Sequence, residues 1–319
     1  MSVNRTRVPL VATLAALTGM LALLVLPTPS AEHGEGTIAR IPADAATPTP
    51  EAARPTPTPE AARPTLTPEA ARRTTAPETR PGTSDPRRRP PVVDHGPRTG
   101  NRVALTFDAD MTDAMRYQLR SGAVRSYANL AIVDLLERER VPATFFLTGK
   151  WVEEYPEVTR RLAGNPRFEL ANHTYGHLAF TPDCYGLPTI SRHRMAADVA
   201  RTFDVVAPYG GRQTRYFRFP GLCHDRAALT ALAPLGVTVV DGDVVSGDPF
   251  AKSWRPIVNA VLSRVRPGSV VVLHVTEANA PMTDEALPHI LAGLAERGLT
   301  PAPLSEVLGP DRSAAAQPG

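Results

Sequence analysis

Between residues 101 and 308, short apolar runs alternate with longer stretches of helical periodicity, and most of the runs stop at a polar residue. Residues 103–107 read as a strand ending at Asp108, and residues 143–147 as a second, buried strand. Residues 168–171 form a strand ending at Asn172 and His173, and the short run 216–217 ends at Arg218. Residues 237–240 stop at Asp241-Gly242-Asp243, and residues 270–273 stop at His274. Apolar residues at helical spacing over 128–140, 151–162, 193–205 and 284–297 predict amphipathic helices between these strands. This alternation predicts an α/β domain with a mostly parallel sheet, closed as a barrel. In such barrels the carboxyl ends of the strands carry the chemistry and the opposite ends serve stability. Polar clusters fall on that one rim after strand after strand, and chance does not explain it.

Two of the clusters have metal-ligand character. His173 and His177 are four residues apart, and a helical turn would place both imidazoles on one face. The run Thr106-Phe107-Asp108-Ala109-Asp110 supplies carboxylates from another strand end. Two imidazoles and one carboxylate give three protein ligands and leave a position open, the layout of a catalytic site. That donor set favours zinc, with cobalt, nickel or manganese as alternatives.

The first hundred residues have a different character. Arg5 and Arg7 precede an apolar run from Val8 to Leu26 and a small-residue exit near Ala31, so residues 1–31 read as a signal peptide or an N-terminal membrane anchor. Residues 32–100 are rich in Pro, Thr, Ala and Arg. They repeat a nine-residue unit at 47–55, 56–64 and 65–73. Proline at this density removes backbone donors and favours extended polyproline II, and too few large apolar residues are present to offset the cost of ordering. The segment reads as a disordered linker. Residues 309–319 read as a flexible tail. The folded part is expected over 101–308, long enough for a core of its own.

Charge divides the chain in the same place. Residues 1–100 hold 12 Lys+Arg against 9 Asp+Glu, whereas residues 101–308 hold 22 of each. The net +3 therefore lies in the leader and linker, and the neutral folded part carries no nucleic-acid footprint.

Taken together, the rim clusters resemble the motifs of the polysaccharide deacetylases, carbohydrate esterase family 4 with its NodB-like domain. Thr106-Phe107-Asp108 resembles the first motif and His173-Thr174-Tyr175-Gly176-His177 the metal motif. Phe217-Arg218-Phe219-Pro220-Gly221 is similar to the third, Asp241-Gly242-Asp243 loosely to the fourth, and Leu273-His274 to the fifth. The resemblance covers most of residues 101–308. It implies a distorted (β/α) barrel of the polysaccharide deacetylase type and metal-dependent removal of acetyl groups from amino sugars or acetylated glycans. The family usually carries two adjacent aspartates after Thr-Phe, a base and then a metal ligand. Here Ala109 fills the second position, and Asp110 is read as the displaced ligand beside His173 and His177. The fourth motif also lacks the usual tryptophan.

On this reading Asp108 is the general base and Arg218 holds it in place. His274 protonates the departing amine, oriented by Asp243 or Asp248, with Asp243 preferred. The backbone N–H near Gly221 is a candidate oxyanion donor. Leu273 and Phe219 form an apolar slot for the acetyl methyl, or simply pack in the core. Trp151, Tyr175 and Tyr185 stack on sugars or pack at the rim. Cys184 and Cys223 follow two of the clusters on the same face of an exported chain, which predicts a disulfide between them rather than two free thiols.

The function expected is an extracytoplasmic, secreted or envelope-bound, monomeric deacetylase acting on peptidoglycan or another N-acetylglucosamine polymer, with O-acetylated xylan behind these. Two other readings stand beside it. One is a catalytically weak relative serving as an envelope glycan-binding module; the other is a hydrolase of small C–N substrates, which the leader and linker disfavour.

Overall fold

The computed structural model describes residues 88–309. In chain order the first elements are β1 (Val92–Val93), β2 (Arg102–Ala109), α1 (Asp113–Arg120), α2 (Leu130–Arg138), β3 (Ala143–Leu147), α3 (Gly149–Glu154), α4 (Pro156–Gly164) and β4 (Phe168–Asn172). Next come α5 (Met195–Val206), β5 (Arg212–Phe217), α6 (Arg226–Ala231), β6 (Thr238–Val240) and β7 (Val244–Val245). The last are α7 (Trp254–Leu262), β8 (Val270–His274), α8 (Thr283–Glu296), β9 (Thr300–Pro301) and α9 (Leu304–Leu308).

The strands pair in the order β1-β6-β5-β4-β3-β2-β8-β7, every pair parallel, and β9 adds to the lower end of β2. No pair joins β7 back to β1 or β6 among the described residues, so the expected barrel is curled but left open at that seam. Side chains alternate along a strand, and the register keeps the faces in phase: Asp108 lies opposite Phe146 on one side and His274 on the other. The inner face carries Ala104, Phe146, Ala171, Val240 and Val270, which form one buried cluster. The outer face carries Leu105, Phe107, Ala109, Phe145 and Leu273, which pack with the helices in the main core.

Several boundaries differ from the sequence reading. The expected helix over 151–162 is two helices, because Pro156 has no N–H to donate and its ring drives Tyr155 out of the helical region, to φ −124° and ψ 58°. Helix α1 gave no apolar periodicity, since only Met115 is buried. It is set instead by Thr112, whose hydroxyl accepts from the Met115 N–H at 3.1 Å. The folded unit also begins before residue 101. Val92 and Val93 lie beside Val239 and Val240, and Gly96 donates to the Gly268 carbonyl at 2.8 Å. A two-residue strand behind Pro90-Pro91 is too short to show a period, so composition alone assigned it to the linker. The apolar run 8–26, the repeats of the linker and the tail beyond Gly309 lie outside the described residues.

Glu169 closes the bottom of the barrel. It is buried at the lower end of β4 and accepts from Thr144 Oγ1 at 3.0 Å, Arg212 Nη2 at 2.9 Å and the Ser305 N–H at 3.2 Å, with a further short contact from Ser305 Oγ. One carboxylate thus ties β3, β5 and the first turn of α9 together. Glu169→Ala leaves the buried Thr144 hydroxyl and the Ser305 N–H without this acceptor, while the half-exposed Arg212 turns to water, and the expected loss is about 2 kcal/mol of unfolding free energy in urea titration.

Candidate active site

The alternation along β2 decides which aspartate faces inward. Asp108 and Asp110 are two residues apart and share the inner face, whereas Ala109 between them is fully buried in the outer core. The Ala109 carbonyl accepts from both the N–H and the hydroxyl of Thr148, at 3.2 and 2.8 Å, which fixes the strand end just below Asp110. The displaced carboxylate is therefore a consequence of strand parity. It does not require an unusual loop path.

Asp110 Oδ1 lies 3.5 Å from His173 Nε2 and 3.3 Å from His177 Nε2. The two histidines do not share a helical turn, as their spacing suggested. They sit on an irregular loop after β4, in which Thr174 and His177 both take left-handed backbone angles, φ 71° and 55°. That loop is held by its own polar groups. The Thr174 N–H donates to Asn172 Oδ1, and the His177 N–H donates to Thr174 Oγ1. His173 Nδ1 lies 2.9 Å from the Arg218 carbonyl and donates to it, which leaves Nε2 facing the site.

The donor atoms of Asp110, His173 and His177 lie within 4.8 Å of one another, and all three residues are buried. Asp110 Oδ1 and His173 Nε2 have no hydrogen-bond partner among the described residues. Orphaned buried atoms of this kind are costly unless a cation or water meets them. Burial opposes the Asp110 anion, but His177, His274 and His173 outweigh it and hold the carboxyl well below its usual range. Burial pushes the His177 imidazole down to about 4 against the pull of Asp110, so it is neutral at pH 7 with a lone pair free. A carboxylate, two imidazoles and two orphaned donor atoms fit a divalent metal ion, with zinc favoured by the donor set.

Asp108 stands beside this triad. Its Oδ1 accepts from Arg218 Nη1 at 2.7 Å, and its Oδ2 lies 3.8 Å from His173 Nε2. Arg218 is fully buried. Its Nη1 also meets Thr106 Oγ1 at 2.9 Å, its Nε donates to the Val240 carbonyl at 3.0 Å, and its guanidinium stacks 4.0 Å from the centre of the Phe146 ring. Thr106 gave no sign of this role in the sequence.

His274 ends β8 next to Asp108, and its Nε2 lies 3.8 Å from Asp110 Oδ2. The residue that orients it is Asp248, not Asp243. Asp248 Oδ1 lies 2.9 Å from His274 Nδ1, and its Oδ2 accepts from the His274 N–H and from Thr283 Oγ1, each at 2.7 Å. Burial disfavours the charged imidazole, but Asp248 and Asp110 outweigh it and push His274 up to about 10. Asp243 points elsewhere, to Arg98 Nη2 at 2.7 Å and to the Val270 N–H at 2.8 Å. The carboxyl-end rule would have found this. Asp243 precedes the apolar pair Val244–Val245, and Asp248 follows it. Asp248→Asn is expected to lower kcat for acetate release about 10- to 100-fold. Asp243→Asn is expected to lower the melting temperature and leave kcat within about twofold.

Leu273 faces the outer core, opposite to His274, so it does not line the site; Val272 shares the His274 face. Phe219 is buried against Phe180, Phe217 and the His224 ring, and Trp151 is buried in the main core. Gly221 has φ 61°, and a Cβ there would lie 2.7 Å from Cys184 Sγ and 2.9 Å from the Tyr185 ring. Cys184 and Cys223 form the expected disulfide, with Cα atoms 6.0 Å apart, and it pins the loop after β4 to the loop after β5.

The comparisons with known proteins agree with this geometry. The pattern of the polysaccharide deacetylase family matches residues 95–240. The chitooligosaccharide deacetylase of Sinorhizobium fredii is 30% identical over 177 residues, which span 52% of this chain and 79% of that protein. A family 4 carbohydrate esterase from Streptomyces lividans, solved with acetate, superposes with a TM-score of 0.51 at 27% identity, over 63% of this chain and 92% of that one. A family 4 pseudoenzyme from Bacillus anthracis superposes with a TM-score of 0.55 at 21% identity, over 69% of each chain. With the inward aspartates, the histidine pair and the parallel barrel, these likenesses lead to one conclusion: the chain belongs to the polysaccharide deacetylase family.

Proposed function

We propose that this chain is a metal-dependent N-deacetylase of N-acetylglucosamine-containing glycans, chitooligosaccharide or peptidoglycan, working outside the cytoplasm. The observation that carries the reading is the convergence of Asp110, His173 and His177, with two orphaned donor atoms, between Asp108 and His274. Asp110, His173 and His177 would hold a divalent ion, which would supply Lewis-acid polarisation of the acetyl carbonyl and acidify a water. The rest falls to the protein. Asp108 Oδ2, its partner oxygen tied to Arg218, takes the proton of the attacking water. The Gly221 N–H is the donor assigned to the developing oxyanion. His274, held through Nδ1 by Asp248, gives its Nε2 proton to the amine as the C–N bond breaks, leaving acetate and a free amino sugar. The basic start with its apolar run 8–26 supports an extracytoplasmic site, as does the Cys184–Cys223 bridge.

The likeness to a pseudoenzyme means that the fold alone does not carry the activity. Metal content and acetate release, measured together on chitopentaose and on peptidoglycan, test the reading. The expected result is about one divalent ion per chain, with acetate release that a chelator abolishes and zinc restores. A metallated protein that frees no acetate from either glycan overturns the deacetylase reading, and the glycan-binding module takes its place.

A further inference from the structure

Two large rings stand in the open at the rim, Tyr185 at 75% exposure and Phe250 at 74%. They touch each other, with centroids 6.0 Å apart and planes at 36°. The contact joins the loop after β4 to the turn after β7, strands that lie on opposite sides of the barrel. Both rings stand on segments that carry site residues, Tyr185 on the loop of His173 and His177 and Phe250 on the turn that begins with Asp248. The Tyr185 ring lies over Gly221, and Phe250 comes two residues after Asp248, the partner of His274. Their backbones are pinned. The loop carrying Tyr185 is closed at its base, where Ala179 and Thr189 bridge and Ile190 donates to the Ala179 carbonyl, and near its tip by the disulfide. Tyr185 itself is held at φ 50°, a left-handed angle that is costly for a bulky residue and that the surrounding constraints must maintain. Phe250 ends a 3₁₀ turn behind Pro249, with its N–H donated to the Gly247 carbonyl.

From this we infer that Tyr185 and Phe250 form a preorganised aromatic platform on which a sugar ring of the glycan stacks beside the catalytic centre. The inference rests on the glycan-deacetylase reading and names the residues that select long substrates over short ones. Exposed rings that touch across two loops bury little in the free protein and gain by covering. The apolar C–H face of a pyranose is a flat partner for such rings, and the Tyr185 hydroxyl supplies a polar edge. Because both loops are fixed in advance, little ordering cost is charged against binding.

Full-length Tyr185→Ala, Phe250→Ala, the double variant and Tyr185→Phe test the platform with chitopentaose and with N-acetylglucosamine. Each Ala variant is expected to raise KM for chitopentaose about tenfold and the double variant more, with kcat at saturation changed less than about threefold. The preference for pentamer over monomer in kcat/KM falls accordingly, and Tyr185→Phe keeps it. Calorimetric binding of chitopentaose in an Asp108→Asn background reads the same loss without turnover. Acetate release with an unshifted KM in the double variant overturns the platform and leaves the deacetylase reading standing. Pentamer binding that the Ala variants weaken, in a wild type that frees no acetate, overturns the activity and leaves the platform. No pentamer binding at all overturns both.

Discussion

Asp108→Asn is expected to lower kcat/KM for acetate release about a thousandfold, with metal content unchanged. The amide keeps the shape of the carboxylate and an oxygen for Arg218 Nη1, but it cannot take a proton from water. A second effect follows from Arg218. Its guanidinium is fully buried, and Asp108 is its ion-pair partner, 2.7 Å away. Losing the anion leaves a buried cation uncompensated, so the same substitution is expected to cost about 3 kcal/mol of stability. Steady-state kinetics and urea unfolding on one preparation separate the two losses. Adding Arg218→Met is expected to recover stability without recovering turnover, because the buried charge is gone but the base is still absent. A drop in kcat/KM of less than about tenfold for Asp108→Asn removes Asp108 from the role of base.

Asp110→Ala is expected to remove the metal. Two imidazoles on one loop remain, and affinity for zinc falls by at least about a hundredfold in a chelator competition. Acetate release disappears with the ion and returns only in large metal excess. The more telling variant moves the carboxylate back by one residue, Ala109→Asp with Asp110→Ala. Position 109 faces the outer core, where it is fully buried with Phe107 and Leu105. An aspartate there is an unpaired charge among apolar side chains, and the expected outcome is a poorly folded protein without metal. A folded, metallated and active double variant would show that the path of β2 does not select Asp110.

Much of this site was legible before any coordinates, because it is written in strand ends. Asp108, His173, Arg218 and His274 each close an apolar run, and alternation alone places Asp110 with Asp108. Elements of two residues were not legible. Val92–Val93 is too short to show a period, and Val244–Val245 was passed over for the same reason, which sent the choice of carboxylate to Asp243. Leu273 was misplaced because adjacency to His274 was read as proximity, whereas neighbours along a strand face opposite ways. The histidine loop misled differently. A spacing of four also fits an irregular loop with left-handed residues, and only side-chain hydrogen bonds such as that of Asn172 distinguish the two.

Arg218 gathers the centre from within. Its side chain reaches β2 and β6 and lies on the ring of Phe146 in β3, while its own carbonyl holds His173 after β4. The proposed proton acceptor is therefore held by the side chain of this residue and the proposed metal ligand by its main chain, so a substitution there releases Asp108 directly and leaves the carbonyl that holds His173 in place. Variation in what the enzyme accepts is left to the rim, where the Tyr185 and Phe250 rings stand exposed and make no hydrogen bond to that hub among the described residues. The barrel thus divides heritable change into two kinds: at the hub a single step disables, and at the rim a single step redirects.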